Sequence, residues 1–314
     1  MTSPNEVPVP PSALPTGVTV LERGWLSSNN ILIQGEAGTA LIDSGYCTHA
    51  AQTLVLVQAA LQGRGLDVLI NTHLHSDHCG GNAALQAAHP PLRTLIPPGQ
   101  AQHVRAWDPY ALSYTPTGQD CPRFKLDEVL QPGTDLRLGD ARWQVHAAPG
   151  HDPHSVMLFE PISRCLISAD ALWQRGFGVV FPELDGAQAF DEVAATLDVI
   201  EGLNPRTVIP GHGAPFADVS LALTVARQRL ADFVASPHKH IQYAVKVMLK
   251  FKLLQVQSMT PDTLLAWAQG TPYLTQLFQR QFADRSFAQG LDGLVQDLVR
   301  SGAARWQGGL LHNA

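Results

Sequence analysis

The chain has 314 residues, of which 45% are hydrophobic and 15% charged, and its net charge is −6. This is the composition of a globular protein with a full core, and no run approaches the ~18 apolar residues of a membrane span. The N-terminus lacks a basic region followed by an apolar block, so we expect no secretory signal and a cytoplasmic location. Four widely spaced cysteines without a C-x-x-C pair indicate neither a disulfide framework nor a zinc knuckle.

Residues 18–215 alternate short apolar strands with helices, after a flexible, proline-rich lead-in over residues 1–17. Each strand is bounded by Gly, Pro, Asp or Asn, and the interleaving predicts an α/β layered fold. The predicted strands are Asn30–Gln34, Thr39–Asp43, Val68–Asn71, Leu92–Ile96, Trp143–Ala147, Ser155–Phe159, Cys165–Ser168 and Thr207–Ile209. The predicted helices are His49–Gln62, Gly81–Ala88 and Ala187–Glu201.

The last third of the chain differs from the rest in its predicted secondary structure and in its charge. Residues 1–219 contain 11 Lys+Arg against 22 Asp+Glu, whereas residues 220–314 contain 10 Lys+Arg against 5 Asp. We therefore predict two units, 18–218 and 219–314, the second mainly helical. Its predicted elements are the helices Leu221–Ala235, Ile241–Gln255, Thr263–Gln269, Tyr273–Ala283 and Phe287–Ser301, and a hairpin over Ala303–His312.

Four side chains of metal-ligand type lie within six residues directly after a buried-looking strand: His73, His75, Asp77 and His78. In an extended turn His73 and His75 point the same way, by the period-two rule. Asp77 and His78 follow where the next helix begins, and two glycines allow the backbone to bend there.

Three further ligand-type residues lie downstream, each in a turn at the end of an apolar strand. His151 and His212 follow Pro-Gly pairs, and Asp170 ends the strand over 165–168. The repeated pattern gathers these side chains at one edge of the sheet layer. Imidazole and carboxylate suit zinc, iron and manganese, and seven ligands are enough for two metals.

The His-x-His-x-Asp-His run, the Pro-Gly-His, the strand-ending Asp and the Pro-Gly-His-Gly together resemble the metallo-beta-lactamase superfamily over about residues 18–215. The resemblance implies a four-layer αββα sandwich. It implies that Asp43 orients the His-rich loop. It also implies a first metal on His73, His75 and His151, a second on Asp77, His78 and His212, and Asp170 as the bridge.

A metal pair of this kind lowers the pKa of water, so that hydroxide can attack a carbonyl or phosphoryl centre at neutral pH. Asp77 is the candidate catalytic residue, orienting the nucleophile. We favour two divalent cations, zinc first, with iron or manganese also suitable. The predicted function is hydrolysis of a small ester, thioester or lactone, without a membrane partner.

Two other functions stay open. The C-terminal segment resembles, by texture and length, the winged-helix module of β-lactamase-like protein 2 relatives, some of which are endoribonucleases. That similarity implies a metal-dependent ribonuclease with a nucleic-acid-binding domain. Lys246, Lys250 and Lys252 are spread over two helix faces, which favours packing over nucleic-acid binding. A regulatory module without catalysis is the other alternative, and the complete ligand set argues against it.

Two loops are candidates for the substrate pocket: Trp107–Arg123 and Trp173–Leu184. Loops around a metal edge set substrate choice. Cys79 adjoins His78, but we interpret it as a packing residue. The predicted pocket walls are Trp173, Phe177 and Phe181, and the predicted donors to a substrate oxygen are Tyr110, Tyr114 and Arg175.

Overall fold

The structure is a computed structural model that describes residues 14–281 and 285–314. Within these residues the first part of the chain forms two mixed β-sheets. The first sheet has the order β1 (Val18–Leu21), β2 (Asn30–Gly35), β3 (Gly38–Ile42), β4 (Val68–Ile70), β5 (Arg93–Ile96) and β6 (Glu128–Val129). The second contains β7 (Asp135–Leu138), β8 (Ala141–Ala147), β9 (Val156–Glu160), β10 (Cys165–Ala169) and β11 (Thr207–Pro210), in the order β11-β10-β9-β8-β7.

Helices cover the outer face of each sheet. The helices up to residue 235 are α1 (Ala50–Leu61), α2 (Ser76–Cys79), α3 (Asn82–Ala88), α4 (Ala101–Ala106), α5 (Tyr114–Thr117), α6 (Phe181–Leu184), α7 (Ala189–Leu203) and α8 (Val219–Ala235). On the first sheet, Val57 and Leu61 of α1 pack against Leu41 and Leu69. On the second, α7 and α8 share a buried cluster with β9, β10 and β11.

The two sheets face each other across an apolar core. Ile42 and Ile70 of the first sheet pack with Trp143, Leu158 and Ile167 of the second, and all five side chains are buried. Alternation along each strand sends one set of side chains into this core and the other set toward the helices. The predicted αββα sandwich is therefore confirmed.

Beyond α8 the chain forms a helical segment with a small sheet. Its elements are α9 (Pro237–Val256), β12 (Ser258–Met259), α10 (Pro261–Gly270), α11 (Pro272–Gln281), α12 (Phe287–Arg300), β13 (Ala304–Gln307) and β14 (Leu310–Asn313). A separate apolar core includes Leu249, Leu274, Leu294 and Leu311. The hairpin predicted at the end is confirmed as β13 and β14, and β12 adds a third strand beside β14.

The predicted elements correspond closely to the observed ones. The helix predicted over Tyr273–Ala283 is observed as α11, and its predicted end at Ala283 lies outside the described residues, as do residues 1–13 of the expected lead-in. The division at residue 218 and the winged-helix resemblance stay predictions. α8 follows the predicted division in sequence but packs on the second sheet. In the described part of the chain, no helix combines the length and apolar character that crossing a bilayer requires.

Candidate metal centre

Strand direction brings the predicted ligands to one edge of the sandwich. β3 and β4 are parallel, so Asp43 and the loop beginning at Asn71 leave the first sheet side by side. β10 and β11 are also parallel, so Asp170 and His212 leave the second sheet together. Seven predicted ligand side chains meet there. They form three overlapping groups, and within each group the potential ligand atoms lie within 4.8 Å of one another: His73, His75 and His151; Asp77, His78 and His212; and His73, His78 and Asp170.

The first group is His73, His75 and His151. Nδ1 of His75 lies 2.8 Å from Nε2 of His151, so these two nitrogens face the same point. The other ring nitrogen of His151, Nδ1, donates to the carbonyl oxygen of Val179 at 2.5 Å. That bond places the proton on Nδ1 and leaves Nε2 with a free lone pair. Nε2 of His73 is buried and has no hydrogen-bond partner among the described residues.

The second group is Asp77, His78 and His212. Nε2 of His212 lies 3.2 Å from Oδ2 of Asp77. Nδ1 of His78 lies 2.7 Å from Oδ2 of Asp43. Nε2 of His78 is buried, and the part of the chain that the structure describes offers it no hydrogen-bond partner. The aspartate therefore selects the tautomer in which Nε2 of His78 presents its lone pair to the group.

Asp170 lies between the two groups. Its Oδ1 is 3.5 Å from Nε2 of His78, and its Oδ2 is 3.5 Å from Nε2 of His151 and 3.8 Å from Nε2 of His212. Gly211 allows this approach, because a Cβ at that position would collide with Oδ1 of Asp170. The glycine of the Pro-Gly-His-Gly turn is therefore needed for space.

The loop that carries the ligands is held by Asp43. Its Oδ1 accepts from the Thr72 backbone N–H at 2.9 Å, and its Oδ2 accepts from the Thr72 hydroxyl at 2.7 Å. Asp43 has a φ of 57°, a left-handed conformation that Asp and Asn adopt more readily than most residues. This geometry agrees with the orienting role that the resemblance implied for Asp43.

Burial and neighbouring charges set the protonation states. Burial lowers the pKa of His151 to about 4, and burial together with the neighbouring histidines lowers the pKa of His73 well below its usual value. Burial alone would raise the pKa of Asp170, but nearby His78 and His212 outweigh it and hold that pKa well below its ordinary range. Burial alone would lower the pKa of His78, but Asp43, Asp170 and Asp77 outweigh it and raise that pKa well above its usual value. The centre therefore combines the neutral imidazoles of His73 and His151 with ionised carboxylates.

This donor set fits a divalent cation. The Nε2 atoms of His73 and His78, buried and without a hydrogen bond to residues 14–281 or 285–314, are costly to leave unsatisfied, and a metal would satisfy both. Asp77 and Asp170 bring two negative charges into the same small volume. Imidazole nitrogens and carboxylate oxygens in this proportion are the ligands that zinc, iron and manganese accept.

The ligands open into a cavity of about 640 Å³. Both predicted pocket loops contribute to it. Two predictions were wrong: Phe177 packs in the core below the second sheet, and Tyr114 is buried against Cys79. In both cases the aromatic ring faces inward from a loop whose neighbours face the cavity. The predicted wall and donor residues that do line it are Tyr110, Trp173, Arg175 and Phe181.

Cys79 is fully buried, with its Sγ 3.1 Å from the Tyr114 hydroxyl and 3.8 Å from Sγ of Cys121. Burial raises the pKa of its thiol well above the usual value, so it is held as the protonated thiol. The packing interpretation agrees with this environment.

Several contacts that support the centre had no signal in the sequence. Trp25 stacks on His212 with ring centroids 5.3 Å apart, and Trp173 donates from Nε1 to Oδ1 of Asp170 at 3.1 Å. Asn29 donates to the carbonyl oxygens of residues 210 and 213, on both sides of His212. Nε2 of His240, on α9, accepts from the backbone N–H of residue 180, next to the carbonyl that holds His151. These are contacts between distant segments, which local patterns do not reveal.

An αββα sandwich with a His/Asp cluster of metal-ligand type at one edge defines a class of metal-dependent hydrolases. The model of the metallo-beta-lactamase superfamily matches residues 23–212. This chain therefore belongs to the metallo-beta-lactamase superfamily, and it is a metallohydrolase of that fold.

Known proteins extend this similarity. A hydroxyacylglutathione hydrolase of Anaeromyxobacter dehalogenans (strain 2CP-C) is 30% identical over 211 residues, which are 65% of this chain and 71% of that protein. A metallo-beta-lactamase family protein from Thermus thermophilus has a TM-score of 0.54 and 22% identity, covering 96% of this chain and 100% of its own. TTHA1623, solved in a di-iron-bound form, has a TM-score of 0.51 and 28% identity, covering 67% of this chain and 98% of its own.

Proposed function

We propose that this protein hydrolyses a thioester or a related ester or lactone, using two divalent metal ions held by the seven predicted ligands. The observation that carries the proposal is the position of Asp170, within 3.8 Å of ring nitrogens from both histidine groups. A single carboxylate so placed suits a bridge between two metals. The similarity to hydroxyacylglutathione hydrolases, at 30% and 28% identity, supports a thioester as the substrate.

Each of the two histidine-containing groups described above would form one metal site. His73, His75 and His151 would hold one ion, and Asp77, His78 and His212 would hold the other, with Asp170 shared. Such a pair, when bound, supplies a Lewis acid for the substrate carbonyl and lowers the pKa of water toward neutrality. Zinc is the ion we favour, while iron and manganese suit the same donors.

The side chains of the protein have their own part in the reaction. Asp77 lines the cavity, and although burial raises its pKa, His78 and His212 outweigh that effect and keep the pKa lowered. Its ionised carboxylate can accept a hydrogen bond from the attacking water and orient it. The water oxygen bonds to the carbonyl carbon, the C–S or C–O bond breaks, and the proton from water ends on the leaving thiol or alcohol.

The C-terminal lysines support a small substrate rather than a nucleic acid. Nζ of Lys250 donates to the Ala303 carbonyl and to Asn313 Oδ1, both at 2.6 Å. Lys246 lies 3.7 Å from Asp297, and Lys252 donates to Gln255. Because each of the three is occupied within the chain, they do not form a ready phosphate-binding stripe. The cytoplasmic location stays a prediction.

The test is to assay the metal-loaded protein on a panel of thioesters, esters and lactones beside labelled RNA. We expect carbonyl substrates to be hydrolysed, with activity lost on chelation and in Asp170→Asn. Asp232→Asn is the control, an exposed Asp-to-Asn change on α8. Salt-sensitive RNA binding and cleavage, with no turnover of the carbonyl panel, would overturn the proposal.

A further inference from the structure

The roof of the metal cavity is built from the C-terminal helices, and its surface is apolar. Tyr243, Val247 and Phe251 of α9 line the cavity together with Tyr273 of α11. The α9 side chains recur every four residues, so they form one stripe along the helix. Each is half-buried, whereas the adjacent face of α9 packs into the C-terminal core.

The stripe continues beyond the metal cavity. A second cavity of about 360 Å³ shares Trp25, Tyr243, Val247 and Phe251 with the first and extends to Leu254. From Tyr243 to Leu254 an α-helix rises about 16 Å, at about 1.5 Å per residue. We call the apolar stripe of α9, together with the two cavities that it borders, the groove; the stripe is longer than a two- or three-carbon acyl group needs.

The cations around this groove differ between its two ends. The two lysines that border the second cavity are both paired within the chain, Lys246 with Asp297 and Lys250 with acceptors of the C-terminal strands. By contrast, Arg175 and Arg229 line the metal cavity. The Arg229 guanidinium lies 4.3 Å from the ring centroid of Tyr243 and donates to the Arg175 carbonyl.

We propose that the substrate is a thioester or ester with an extended apolar acyl group, bound along the Tyr243–Leu254 stripe of α9. The carbonyl carbon then lies over the metal centre. The leaving thiol or alcohol lies toward Arg175 and Arg229, where the negative charge that develops as its bond breaks is stabilised by the cations. This proposal rests on the hydrolase function proposed above and names the substrate class for that site.

The central test is a series of N-acetylcysteamine thioesters from acetyl to decanoyl, with the leaving group constant. Each methylene that enters an apolar groove contributes about 0.8 kcal/mol, or roughly fourfold in kcat/KM. Acetyl to octanoyl adds six methylenes, so complete burial of the chain corresponds to a rise of about 4,000-fold, and we expect at least about 30-fold before the series levels off. A flat series, or a preference for lactoyl over hexanoyl, would overturn the proposal while leaving the hydrolase function standing. No turnover of any member would instead count against the hydrolase function.

Variants of the stripe locate the acyl group. Val247→Trp fills the groove, so the octanoyl-to-acetyl ratio of kcat/KM should fall at least about tenfold. Val234→Trp is the matched control, because Val234 is 58% exposed on α8 and lines neither cavity. If Val247→Trp does not fold, Val247→Asn, of similar size, should lower the same ratio. An unchanged ratio in a folded Val247 variant would contradict the assignment.

Two further measurements separate the acyl group from other sources of apolar binding. In calorimetry, octanoate should bind at least about tenfold more tightly than butyrate to the native protein, and this difference should shrink in Val247→Trp. Acetate esters of alcohols from ethanol to octanol keep the acyl group constant. If kcat/KM rises with the alcohol and not with the acyl chain, the groove holds the leaving group and the proposal is wrong.

Discussion

Asp43→Asn tests whether the hydrogen bond between Asp43 and the candidate ligand His78 strengthens metal binding. The Asp43 carboxylate accepts a hydrogen bond from Nδ1 of His78 at 2.7 Å, which leaves the lone pair of Nε2 of that ring available to bind a metal ion. An asparagine can keep the bond from the Thr72 N–H through its oxygen, but its amide nitrogen then faces His78. The ring responds by moving its proton to Nε2 or by losing the hydrogen bond. Since Asn tolerates the left-handed backbone at this position, the variant adds little strain.

The expected loss follows from one charge-assisted hydrogen bond, about 1.5–3 kcal/mol, and corresponds to roughly 10- to 100-fold weaker metal binding. Chelator competition on the purified variant measures this affinity directly. Asp67→Asn is the matched control, because Asp67 accepts from the Thr39 N–H and hydroxyl at 2.8 and 3.0 Å without contacting a histidine. Equal metal affinity in the two variants would refute the reasoning.

Three further predictions concern residues around the site. Trp173→Phe removes the indole donor to Asp170, so thioester kcat/KM should fall about tenfold, by the usual cost of losing a ligand's outer partner; turnover equal to wild type would count against this. Burial and the charge of a nearby arginine lower the pKa of His240 to about 4. Between pH 6.5 and 4 the unfolded chain therefore binds a proton that the folded chain does not. The free energy of unfolding decreases as the pH is lowered through this window, by about 3 kcal/mol in total. In urea unfolding of metal-free protein, His240→Gln should lose about 2 kcal/mol less than wild type between pH 7 and 5, and an identical loss would contradict the assignment. Lys250→Gln leaves C-terminal acceptors without a donor and should cost about 1–3 kcal/mol in the same assay, whereas an unchanged midpoint would argue against that role.

The fold could be predicted largely from local pattern. Short β-rich runs bounded by turn residues identified the central strands, because buried strands need apolar side chains and turns need Gly, Pro, Asp or Asn. The first strand, Val18–Leu21, and β7, Asp135–Leu138, were not predicted. Both are edge strands, and Leu138 is the one buried side chain of the two, so their sequences carry little of the apolar signal.

The candidate ligands could also be predicted, since each is a His or Asp in a short motif after a strand. Their supports could not. Asn29 contacts a carbonyl 181 positions away in the chain, and Trp25 contacts His212 at a similar distance. The lining of the cavity by α9 depends on how the C-terminal segment packs against the sandwich, which amphipathic periodicity does not specify. The same limit explains why Phe177 was predicted to face the cavity although it faces the core.

We expect the seven clustered side chains to hold two metal ions that are needed for hydrolysis. The most direct test is elemental analysis of the purified chain after reconstitution with zinc, iron or manganese, with thioester turnover measured on the same sample. We predict close to two metal ions per chain, and turnover that is lost on chelation and returns when the metal is restored. Fewer than half a metal ion per chain after reconstitution, or full turnover in the metal-free protein, would contradict the account.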